Sequence, residues 1–63
     1  MQDERRLMFD ALTMSVNKSL DDIGTLLHWA IEAGTPGEKL KNIRMAVRLL
    51  EDAARNLEQL EQA

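Results

Sequence analysis

The chain has 63 residues, a net charge of −3, 44% hydrophobic residues, one Phe, one Trp, no Tyr and no Cys. This length allows one small domain that buries about 60% of its unfolded surface. The missing Cys excludes disulfide or thiolate–zinc staples, and the acidic balance excludes a general attraction for nucleic acid or anionic membranes.

Small scaffolds without staples rely on very regular helix packing or on association with another chain. At the N-terminus no apolar run is long enough for a signal peptide or a membrane span, so a soluble cytoplasmic protein is expected. The first helix is predicted over about residues 3–33. Phe9, Leu12, Val16, Leu20, Ile23, Leu27 and Ile31 recur there at helical spacing and form its seam. Met8, Ala11, Leu26 and Trp29 form a second strip, roughly 90–150° from that seam. Gly24 lies inside the helix, where Gly costs about 1 kcal/mol relative to Ala. Close approach of a second helix near Met45 and Ala46 is its expected reason, and a kink is the alternative.

A breakpoint follows at Ala33-Gly34-Thr35-Pro36-Gly37-Glu38, which holds the single Pro and two of the three Gly. Gly34 suits a left-handed residue closing the first helix. Thr35 and Glu38 have capping-box spacing, and Pro36 falls on the first position of the next helix. That helix is predicted over about residues 36–62, after a turn at 34–35. Leu40, Ile43, Val47, Leu50, Ala54 and Leu57 form its seam, with Ala46, Leu49, Ala53 and Leu60 on a flank. Met1–Asp3 and Glu61–Ala63 are expected to fray, because Glu58 and Glu61 oppose the helix dipole at the C-terminal end.

These elements predict an all-α fold: one antiparallel two-helix hairpin, coiled-coil-like, spanning residues 1–63. The flanking strips turn toward one face, which a lone hairpin would leave wet. Completion by a partner chain or by dimerisation is therefore expected rather than ordinary scattered surface hydrophobes. The candidate partner-binding residues are Met8, Leu26, Trp29, Leu49, Ala53 and Leu60, with Trp29 as the anchor. On the other side, Asp10, Asp21 and Glu32 face Lys41, Arg44, Arg48 and Arg55. Ion pairing across the hairpin, Asp21 with Arg48 and Glu32 with Lys41, adds only about 0–1 kcal/mol per exposed pair. It is preferred over an RNA-binding edge, because no aromatics interleave with the basic residues.

Catalytic material is sparse. His28 and Glu32 have the spacing to share a metal, but two ligands do not make a site. Asp21 and Asp22 diverge on a helix and cannot pair as acid and base. No phosphate loop, nucleophile elbow or triad is present, and a two-helix hairpin is expected to offer no concave pocket of the usual volume. No enzymatic activity, cofactor or metal is expected.

Glu4-Arg5-Arg6-Leu7, Leu20 with its following seam, Ala33-Gly34 at the turn, Leu49-Leu50-Glu51 and Leu57 together resemble a known pattern. It is that of the small E-type co-chaperones of type III secretion, the YscE/PscE group, over nearly the whole chain; Trp29 and Gly24 depart from it. The resemblance implies a non-enzymatic cytoplasmic hairpin that forms a heterodimer with a tetratricopeptide-like chaperone. That pair would hold the needle subunit as a soluble monomer before export, a virulence function. Two other readings stay open. One is a homodimeric four-helix-bundle regulator that binds RNA or a transcription factor and uses Lys41, Arg44 and Arg48. The other is a phage-type inhibitor masking a host protein.

Overall fold

A computed structural model describes residues 4–62. Helix α1 spans Glu4–Glu32 and helix α2 spans Pro36–Gln62, 29 and 27 residues long, and no strand occurs among the described residues. The two helices pack along their lengths as an all-α helical hairpin. The molecule is a rod of 53 × 18 × 9 Å. Its radius of gyration is 15.0 Å, against about 11 Å for a globule of the same length. A single helix–helix contact surface therefore has to hold it.

Local chemistry explains the turn. Extending α1 past Thr35 would drive the Pro36 ring against the carbonyl of Glu32, and α1 ends at that residue. The Ala33 N–H still donates to the Trp29 carbonyl at 2.9 Å. Thr35 then caps α2: its Oγ1 accepts from the Glu38 N–H at 3.2 Å, and its carbonyl accepts from the Lys39 N–H at 3.1 Å. Gly34 does not take the left-handed conformation expected of it, since no described glycine has a positive φ. With Pro36 and the Thr35 cap terminating one helix and starting the next, no left-handed closing residue is needed. Of the segments expected to fray, Glu61 and Gln62 are helical, whereas Met1–Asp3 and Ala63 lie outside the described residues.

The interior differs from the expected seam. Val16, Ile23, Leu26 and Ala30 of α1 are buried with Ala46 and Ala53 of α2. Ile23, Leu26 and Ala46 form the core cluster, with Leu49 packed against it. Within the expected seam only Val16 and Ile23 are buried and Leu12 is half-buried. Leu20, Leu27, Ile31, Leu40, Ile43, Val47, Leu50 and Leu57 are instead 43–76% exposed. Relative to the expectation, α1 is rotated by roughly 45° and α2 by roughly 80–100°, each about its own axis. The cause is side-chain size. Ser19, Ala30, Ala46 and Ala53 let two backbones approach closely, and the bulkier residues are displaced to the flanks.

Candidate interaction surface

The rotation gathers the large aliphatic residues on one side. Phe9, Leu20, Leu27 and Ile31 lie roughly a quarter turn from the line of contact on α1, and Ile43, Val47, Leu50 and Leu57 lie likewise on α2. Because the helices run in opposite directions, both quarter turns lead to the same face of the hairpin. At its open end, Phe9 from α1 and Ala54, Leu57 and Leu60 from α2 line one largely apolar cleft of about 550 Å³, with Glu58 and Glu61 completing its lining.

The heptad pattern is split between inside and outside. Val16, Ile23 and Ala30, with Ala46, Ala53 and Leu60, recur every seven residues and face the hairpin interior. Leu20 and Leu27, with Ile43, Leu50 and Leu57, recur at the same interval and face outward. In a two-stranded coiled coil both heptad positions would meet the one partner helix. Here two positions on each helix do so, Val16, Ile23 and Ala30 with Leu26 on α1 and Ala46 and Ala53 with Leu49 on α2, and a further apolar position is left unpartnered, which is the pattern of a bundle with more than two helices.

The six residues expected to bind a partner do not form one surface. Leu26 and Ala53 are buried between the helices at 6% and 4% exposure, and Leu49 and Leu60 are half-buried in the same interior. Met8 is exposed near the open end. Trp29, 54% exposed, stands on the side opposite the apolar face. It borders an open cleft of about 450 Å³ with Glu32, Ala33, Glu38, Lys41 and Asn42. The flank residues are inside because they include the small ones that allow close packing.

The charges are also rearranged. No ion pair joins Asp21 to Arg48 or Glu32 to Lys41 among the described residues. The pairs that form lie within single helices: Lys18–Asp22 at 3.7 Å, His28–Glu32 at 3.1 Å and Arg55–Asp52 at 2.7 Å. The rotation carries Asp10 and Asp21 to the outer edge of α1, and Arg44 and Arg48 to the outer edge of α2, facing away from each other. Lys41, Arg44 and Arg48 form no ion pair among the described residues, and with Leu40 and Met45 they line a shallow groove on α2. Gly24 does not mark a close helix approach, because a Cβ built there meets nothing within 4 Å.

Sequence reasoning missed Lys39. Its Nζ donates to the carbonyls of Ala30 and Ile31 at 3.0 and 3.1 Å. The last turn of α1 carries no basic residue of its own, so α2 supplies the cation that its carbonyls and dipole favour. A Lys one turn into the second helix of a tight hairpin was the available signal. No three His, Cys, Asp or Glu side chains converge among the described residues. Among the described residues no helix is long and apolar enough to cross a membrane. No family model, curated protein or solved structure matches the chain.

Proposed function

We propose that the chain is a non-enzymatic binding module whose apolar face packs against helices of another protein. The observation that carries this reading is the face itself. Leu20, Leu27, Ile43, Leu50 and Leu57 are each 43–47% exposed at matching heptad positions, a contiguity that marks interaction sites rather than ordinary surface. In the form implied by the co-chaperone resemblance, the partner is a tetratricopeptide-like secretion chaperone that keeps the needle subunit monomeric. Such a partner presents paired helices, the complement of an unpartnered heptad strip.

The test is affinity capture from the source cell with the tagged chain and with a Leu27→Gln/Leu50→Gln variant. Expected is recovery of a helical-repeat chaperone with a small needle-like subunit, and at least a tenfold loss of affinity in the variant, about 1.4 kcal/mol. Trp29→Ala, on the opposite face, should leave that affinity unchanged. Capture that survives the double substitution would remove the apolar face from the site.

A second reading, the regulator that binds RNA, is favoured by one observation: Lys41, Arg44 and Arg48 make no ion pair among the described residues and line one groove. RNA binding through three such contacts would weaken steeply with added salt, and Arg44→Ala/Arg48→Ala would flatten that slope.

A further inference from the structure

We propose that in the free protein the apolar face is closed by a second copy of this chain. The product is a four-helix bundle in which α1 of one copy lies on α2 of the other, with both turns at the same end. This inference rests on the reading of that face as an interface, and three observations carry it further.

The first is area. The chain exposes 5317 Å², whereas a folded monomer of 7.2 kDa exposes about 4,100 Å², an excess of about 1,200 Å². Two copies closing that excess would bury about 2,400 Å² in total, within the range of obligate homodimers.

The second is repeat matching. The outward strip on each helix repeats every seven residues, and a second hairpin presents a strip of the same period and length. Leu20 and Leu27 can then enter the spaces between Ile43, Leu50 and Leu57 of the facing helix over the middle of the rod. Val16, Ile23 and Leu26 pack with Ala46 and Ala53 inside each hairpin, and the outward leucines and isoleucines meet between hairpins, so both layers of the bundle are filled.

The third is charge, which selects between two face-to-face arrangements. With α1 lying on α1 of the partner subunit, the acidic edges bearing Asp10 and Asp21 would adjoin each other, and so would the basic edges bearing Arg44 and Arg48. With α1 lying on α2 of the partner subunit, each acidic edge adjoins a basic one. Within a hairpin, Lys39 reaches Ala30 and Ile31, and Ala46 packs with Ile23 and Leu26. Asp21 therefore stands at the level of Arg48 and within about one turn of Arg44, so in the dimer the acidic edge of α1 adjoins the basic edge of α2 in the partner subunit. This arrangement makes every neighbouring helix pair antiparallel and puts the two-fold axis along the bundle, which is why the turns share an end.

Sedimentation equilibrium on the full chain tests the assembly. Twice the 7.2 kDa chain mass is expected, retained by Trp29→Ala and lost by Leu27→Gln/Leu50→Gln. A folded helical species at the single-chain mass, or one above the dimer, overturns the proposal. A folded monomer that still captures the chaperone would leave the binding-module reading standing, so the two failures are distinguishable. A double variant still at twice the chain mass would overturn the assignment to this face. For the arrangement, Gly34→Cys carries a spin label at the exposed turn, where a Cβ meets nothing within 4 Å. Turns at one end give an inter-label distance of about 20–25 Å, whereas turns at opposite ends give about 40 Å or more, one helix length. The longer distance would overturn the shared-end arrangement.

Discussion

Lys39 and Gly24 are the residues at which single substitutions should read out most clearly. The Lys39 ammonium holds two carbonyls at the end of α1 from a half-buried position on α2. Lys39→Met keeps most of the stem and removes the donor, so a loss of about 1–2 kcal/mol is expected. In a chain of this size that is a fall in melting temperature of roughly 4–8 °C per kcal/mol, measurable by circular dichroism. Gly24 works in the opposite direction. It sits mid-helix with open space where a Cβ would go, so Gly24→Ala should stabilise the fold by about 0.5–1 kcal/mol. A drop in melting temperature would instead show that another helix approaches Gly24 in the assembled protein.

Between residue and fold, the helix ends were legible from local rules and the packing faces were not. Pro36 stops α1, and the Thr35 hydroxyl caps α2 through the Glu38 N–H. Thr35→Ala should therefore cost about 1 kcal/mol, a midpoint shift readable in urea. The contact line between the helices is a competition over a wide apolar arc. Hydrophobic spacing locates the arc, yet its centre depends on which side chains permit close approach. Ala46 and Ala53, 2% and 4% exposed, win over Ile43, Val47 and Leu50 because small residues let two backbones pack with little void. Ala46→Leu should push the helices apart and destabilise by about 1–3 kcal/mol. An unchanged denaturation midpoint would mean that the contact line lies elsewhere.

At the scale of the whole molecule, a rod held by one line of contact leaves its larger aliphatic side chains in water. Among the described residues, Val16, Ile23 and Leu26 are the large aliphatics that are buried, a thin core for a chain without staples. In the dimer proposed above a second copy completes that core, which would couple folding to association. The melting temperature should then rise with protein concentration. A melting temperature independent of concentration over a hundredfold range would place all the stability within one hairpin.

The hairpin, its turn and the existence of a surplus apolar face were determined by the sequence alone. Pro geometry, capping spacing and helical periodicity are short-range, and each is complete within a few residues. Which apolar strip lies inside and which outside was decided only in the tertiary structure. Leu26, Leu49, Ala53 and Leu60 read as a free flank and became the interior, while Leu20, Leu27, Ile43, Leu50 and Leu57 became the free face. Periodicity counts apolar residues without weighing how closely their neighbours allow two helices to come, and that distance exists only once both helices are in place.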